Sequence, residues 1–203
     1  MTPSQYAQAC ADTYDPAAKW DHDWRINGIH VSHRVVEGLN VFAFEGSKTA
    51  QDWLRDCEGW PAWHDRLGFV HAGFLVGVGE VFAALRSAVP EGPYAFTGHS
   101  LGGARARVQA AYFVVNGIAV QEVHVFGSPK PAFENLSRII EKSGMKHVSW
   151  RNRNDPVPLV PGILPMWQHP EAWGRVSASP LPTDLEPLRD HHIELYQRGV
   201  IAS

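Results

Sequence analysis

The stretch Tyr94-Ala95-Phe96-Thr97-Gly98-His99-Ser100-Leu101-Gly102-Gly103-Ala104 decides the fold. Residues 94–97 read as a short buried strand, the glycines permit a tight turn, and a helix follows from Ala104 onward. A serine carried on such a strand–turn–helix is a nucleophile elbow. The turn is strained, and side chains would clash where the glycines stand. Ser100 then projects its hydroxyl above the sheet. The N–H of Leu101, at the helix N-terminus, points toward a developing oxyanion. The pentapeptide alone carries little weight; the strand before it, the second pair of glycines and the helix behind it carry the reading.

Outward from this stretch, strands alternate with helices. Residues 31–36, 40–44, 94–97, 122–126 and 147–151 read as strands. Residues 3–13, 49–56, 71–88, 101–115, 133–142 and 189–198 read as helices. Residues 15–26 and 59–64 read as irregular, the second as a loop of exposed aromatics, and the Pro-rich segment 157–187 as mostly irregular. This pattern predicts an α/β fold in one domain over 1–203, with a mostly parallel central sheet and helices on both faces. In such sheets the functional edge lies beyond the carboxyl ends of the strands. Ser47, Ser100 and Asp155 each fall just after a predicted strand, so three polar residues converge there.

Composition narrows the function. A chain of 203 residues with net charge −3 has no dominant basic patch, which argues against nucleic acid as a partner. No apolar run is long enough for a bilayer. The opening Met1-Thr2-Pro3-Ser4-Gln5-Tyr6 lacks a basic start and an apolar core, so a cytoplasmic protein without a secretory signal is expected. Two cysteines, Cys10 and Cys57, allow at most one disulfide, and two free thiols in a reducing compartment are the expectation. The 11 histidines include no HExxH pattern and the chain has no paired CxxC, so neither zinc nor another cofactor is expected. Eight tryptophans suit large apolar surfaces near a pocket or plain core packing.

A serine hydroxyl needs a general base, and the base needs an orienting carboxylate. Asp155 follows Ser100 in the chain and precedes Pro156 at a strand end. It reads either as that carboxylate or as the cap of its own turn. The base is one of His169, His191 and His192. Two adjacent histidines guarantee that one can face the sheet edge while the other turns away. Ser47 suits an oxyanion donor or the N-cap of the helix at 49–56, and the two roles are compatible.

Together these residues resemble the class 3 lipases of the α/β-hydrolase superfamily. Val41-Phe42-Ala43-Phe44-Glu45-Gly46-Ser47 is similar to that family's V-A-F-R-G-T/S strand and oxyanion turn, and Asp52-Trp53 with Asp56 to its D-W-x-x-D segment. His71-Ala72-Gly73-Phe74 matches H-x-G-F, and Gly98 to Ala104 match the elbow. Phe126-Gly127-Ser128-Pro129-Lys130 is similar to F-G-S-P-R, and Asp155-Pro156-Val157-Pro158 matches D-P-V-P. Asp190-His191-His192-Ile193-Glu194-Leu195-Tyr196 resembles the terminal D-H-S-I-x-x-Y. The resemblance covers residues 29–197.

The resemblance implies Ser100 as nucleophile, Asp155 as acid, His191 as base, and Ser47 with Leu101 as oxyanion donors. His169, in Trp167-Gln168-His169-Pro170-Glu171, takes the place of a structural Y-x-H histidine. A lid would span 48–64, with Trp53, Trp60 and Trp63 contacting an acyl chain or a lipid interface. The implied activity is ester hydrolysis through an acyl-enzyme on lipid or other acyl esters. Alternatives are a phospholipase or deacetylase of the cell envelope, or a non-catalytic scaffold on the same fold.

Two departures stand out. Glu45 occupies the usual arginine position before Gly46, so its carboxylate is expected to point away or to pair with an arginine. Arg105 and Arg107 in the elbow helix are open to either a surface role or that pairing. The short chain resembles compact members in bacterial and bacteriophage genomes, released by lysis or carried on a phage particle.

Overall fold

A computed structural model describes residues 1–47, 60–161, 166–169, 173–178 and 188–201. Seven strands form the central sheet: β1 (His22–Ile26), β2 (Ile29–Val36), β3 (Leu39–Phe44), β6 (Tyr94–His99), β7 (Glu122–Phe126), β8 (Lys146–Asn152) and β9 (Trp173–Val176), in that spatial order. β1, β2 and β3 are joined antiparallel, and every pairing from β3 to β9 is parallel. A separate hairpin pairs β4 (Pro61–His64) with β5 (Gly68–His71). The helices are α1 (Pro3–Asp12), α2 (Ala72–Leu75), α3 (Val78–Ala88), α4 (Leu101–Val115), α5 (Glu134–Ser143) and α6 (Ile193–Ile201).

The strand period of two divides the core. Phe42, Phe44, Phe96, Val123 and Val125 face one cluster, with Val81 and Leu85 of α3, Phe113 of α4 and Leu136 of α5. Leu39, Val41, Ala95 and Phe126 face the other, with Tyr6 and Cys10 of α1 and Ile193, Tyr196 and Val200 of α6. Each buried phenylalanine contributes about 1.5–3 kcal/mol to this arrangement. The expected helical layers on both faces are present, and the sheet is the α/β type that the sequence predicts.

Four local readings need correction. Residues 22–26 form β1 rather than irregular chain. This strand is at the sheet edge, so its polar residues face water, and the hairpin to β2 turns through Asn27 (φ 50°) and Gly28 (φ 74°). Asn-Gly is the strongest short hairpin signal, and it stood in the sequence unread. Residues 61–64 are a strand, not a loop. The single helix expected over 71–88 is β5's last residue followed by two helices, because Gly77 adopts φ 75° between them. The Pro-rich segment contributes β9. The helix expected over 49–56, like Cys57, lies outside the described residues; Cys10 is a buried free thiol. Among the described residues no helix is long and apolar enough to cross a membrane.

Candidate active site

Ser100 sits between β6 and α4 with φ 56° and ψ −130°. That conformation is costly for a residue with a side chain, and it persists only when its surroundings impose it. They do so here. The Ser100 N–H donates to Phe126 O at 2.9 Å, and Ser100 O accepts from Gly103 N at 3.0 Å. A Cβ on Gly98 would run into the backbone of Gly102, and one on Gly102 into the carbonyl of Phe44. β3, β6 and α4 therefore meet backbone to backbone under the serine. As the first residue of α4, Leu101 presents an N–H with no intrahelical acceptor.

Asp155 follows β8 and is fully buried. Its Oδ1 accepts from Val157 N at 2.9 Å. Its Oδ2 takes Tyr196 Oη–H at 2.5 Å and His191 Nδ1 at 2.8 Å. A proton on Nδ1 leaves Nε2 as the basic nitrogen of His191. Nε2 and Ser100 Oγ are both buried and, among the described residues, both lack a hydrogen-bond partner. His191 is buried in the turn that precedes α6, whereas His192 is exposed. Gly127, at φ 55°, packs against the pair: a Cβ there would lie 2.8 Å from both Asp155 Oδ2 and His191 Nδ1.

A second set of residues supports the first. His99 Nε2 donates to His191 O at 2.7 Å, so its Nδ1 accepts from Tyr14 Oη at 3.2 Å. Tyr14 Oη in turn accepts from Gly46 N at 3.1 Å. One hydrogen-bonded chain thus links the turn after β3 to the backbone of His191. Burial drives the His99 imidazole well below its usual range, and His191 beside it adds to the shift; burial likewise raises the Tyr14 phenol. Tyr196 is raised by burial and then by the Asp155 charge, so it stays a donor. Tyr14, His99 and Gly127 were given no role by the sequence reading, and Tyr196 entered only as a motif letter.

Ser47 is half-buried directly after β3, in the turn that touches Ser100: a Cβ on Gly46 would come 3.2 Å from Ser100 Cβ. Glu45 turns away from that contact onto His30 Nδ1 at 2.6 Å, with Arg25 Nη1 at 3.9 Å. It thus points away, as expected, onto a histidine with an arginine farther off. Neither elbow-helix arginine pairs with it in the described contacts. Arg105 reaches Gly28 O at 3.4 Å. Arg107 is fully buried and donates to Ser128 Oγ at 2.6 Å, Pro129 O and His169 Nδ1 at 2.7 Å. His169 Nε2 continues to Pro158 O at 2.7 Å, which fastens the 128–129 turn to the chain after Asp155. Of the three tryptophans expected in a lid, Trp53 lies outside the described residues. Trp60 is 82% exposed before β4, and Trp63 is 58% exposed and stands edge-on to Phe69 of the same hairpin.

A model of the class 3 lipase family matches residues 41–164. A secreted mono- and diacylglycerol lipase from Fusarium solani is 33% identical over 168 residues, 77% of this chain and 50% of that protein. Secreted mono- and diacylglycerol lipase A from Penicillium cyclopium is 28% identical over 148 residues, 66% of this chain and 47% of that protein. The chain therefore spans about half the length of the curated relatives it matches. Among solved structures, Rhizomucor miehei triacylglyceride lipase superposes with TM-score 0.70 at 20% identity, covering 87% of this chain and 77% of that one. A triacylglycerol lipase whose catalytic centre is a serine protease triad superposes with TM-score 0.74 at 22% identity, covering 87% and 79%. These likenesses show the α/β-hydrolase fold. With the family match running over residues 41–164, through the turn at 45–47, the Ser100 turn and Asp155, the chain belongs to the class 3 lipase family.

Proposed function

We propose that the chain is a serine carboxylic-ester hydrolase acting on lipid esters, with mono- and diacylglycerols as the substrate class suggested by its named relatives. The observations that carry this reading are the buried Asp155–His191 pair with Nε2 unpartnered, and a strained Ser100 whose buried Oγ is likewise unpartnered among the described residues. Ser100 Oγ attacks the ester carbonyl and gives its proton to His191 Nε2. Asp155 holds the imidazolium that forms. Leu101 N–H and Ser47 hold the oxyanion. His191 returns the proton to the departing alcohol, and water then cleaves the acyl-enzyme by the same path in reverse. Loss of Ser100 lowers kcat by roughly 10⁶, and loss of one oxyanion donor by about 10²–10³.

The test is hydrolysis of p-nitrophenyl esters from acetate to palmitate, and of monoacylglycerol, by wild type and Ser100→Ala side by side. Turnover that survives Ser100→Ala would sink the assignment. A fluorophosphonate probe that fails to label Ser100 would favour a scaffold without catalysis. The exposed Trp60 and Trp63 support contact with a lipid interface and keep phospholipid as a second substrate. Vesicle and acetylated-glycan assays separate that reading. A cytoplasmic start, a compact bacterial or bacteriophage source and release by lysis belong to the same proposal. The free Cys10 thiol suits the reducing compartment of a cytoplasmic protein. The named relatives are secreted fungal enzymes, and cell fractionation decides between the two locations.

A further inference from the structure

The turn beside Ser100 begins with an acid, and that acid is held by a histidine set between two carboxylates. Glu45 N–H donates to His30 O at 3.1 Å. Its Oε2 meets His30 Nδ1 at 2.6 Å. The other ring nitrogen, Nε2, meets Asp23 Oδ1 at 2.6 Å, and that oxygen also accepts from Ser32 Oγ at 2.5 Å. The His30 and Glu45 side chains are each only 10% exposed. The His30 ring therefore bridges two carboxylates, one on each ring nitrogen. Ser32 Oγ also lies 3.3 Å from Nε2, which gives Ser32, His30 and Glu45 the connectivity of a second serine–histidine–acid array. Ser32 is fully buried and its hydroxyl donates to Asp23, so this array positions Glu45 and attacks nothing.

The backbone that carries Glu45 touches the elbow. A Cβ on Gly102 would stand 2.9 Å from the Glu45 carbonyl carbon. A carboxylate rooted there repels an oxyanion forming at Ser100 unless it is drawn aside, and a low-dielectric site makes the repulsion larger.

We infer that His30, held in place by Asp23, is a positioning residue for acyl transfer: it draws the Glu45 carboxylate away from the oxyanion site. The inference rests on the esterase reading above. The ester carbonyl is neutral on binding and anionic only in the transition state, so the effect falls on kcat and spares KM.

The experiment compares wild type, His30→Asn, Glu45→Gln and the double variant on p-nitrophenyl butyrate. It also follows the rate at which a fluorophosphonate probe labels Ser100, and the Tm of each protein. His30→Asn is expected to lower kcat about tenfold with KM changed by less than about twofold. Glu45→Gln is expected to keep kcat within about twofold of wild type, and the double variant to match it, which is a rescue of His30→Asn by removal of the charge. A His30→Asn protein within about twofold of wild-type kcat overturns the inference, as does a double variant no faster than His30→Asn. If His30→Asn does not fold, Asp23→Asn loosens the ring from its outer side. It is expected to lower kcat about threefold, and unchanged kcat overturns the inference. Wild-type turnover without this pattern rejects the role of His30 and leaves the esterase reading standing. Labelling without turnover rejects the substrate, and the labelling rates then decide the inference by the same pattern. A Ser100 inert to the probe overturns both.

Discussion

Tyr196 donates its hydroxyl to Asp155 Oδ2 at 2.5 Å, on the same oxygen that meets His191 Nδ1 at 2.8 Å. The phenol also accepts from Asn152 N at 3.0 Å, so one side chain of α6 orders both the acid and the end of β8. Tyr196→Phe removes the donor to a buried carboxylate and strands a backbone N–H. It is expected to cost about 1–3 kcal/mol of stability and to slow ester hydrolysis several-fold. Urea unfolding with steady-state kinetics on the same preparation checks both. A variant with unchanged stability and rate would show that Tyr196 does not hold Asp155.

Asp155→Asn preserves shape but exchanges an acceptor for an amide. The Nδ1–H tautomer of His191 then loses its partner, and Nε2 ceases to be the basic nitrogen. Activity is expected to fall by about 10³–10⁴ in kcat, with the fold retained. Retention of more than a tenth of wild-type kcat would remove Asp155 from the triad.

Gly127→Ala tests the packing behind the pair. The new methyl would stand 2.8 Å from Asp155 Oδ2 and His191 Nδ1, at a backbone φ of 55°. The backbone strain costs about 1–3 kcal/mol, and the displaced imidazole should lower kcat at least tenfold. Thermal denaturation and the ester assay read the two effects separately.

Acid should unfold this protein early. Burial holds His99, His147 and His169 well below the ordinary imidazole range, and it pushes His124 down to about 4. In the unfolded chain the same groups take up protons as pH falls through about 6.5. The unfolded state then binds more protons, so stability falls with pH below about 6.5. The slope is about 1.4 kcal/mol per pH unit for each histidine that stays neutral in the fold. Urea midpoints at pH 7.5 and 5 should differ strongly, with most of the change below pH 6.5. A midpoint independent of pH would mean that these rings are accessible in the folded state.

The strained turn at Ser100, the strand-end Asp155 and the two adjacent histidines were legible in the chain because their signals are local. A strand, a turn that tolerates only glycine, and a helix N-terminus all lie within about ten consecutive residues around Ser100, and D-P-V-P marks a strand end in four. The same locality explains the misreadings. β1 is an edge strand whose polar residues hide the period of two, and its Asn27-Gly28 turn was the better guide. The break at Gly77 interrupts an apolar spacing that continues on either side of it.

Sequence by itself determined β2, β3, β6, β7 and β8, the helix behind Ser100, and the candidates for nucleophile, acid and base. Only the tertiary structure decided which of them meet. Tyr14 reaches His99 across 85 residues, and Arg107, placed on a helix whose exposure the sequence left open, is buried against Ser128 and His169. His30 closes on Glu45 because β2 and β3 pair in one register, and a shift of one residue would send the two side chains to opposite faces. Local chemistry is written in neighbouring letters, whereas the partner of a buried charge depends on how distant strands align.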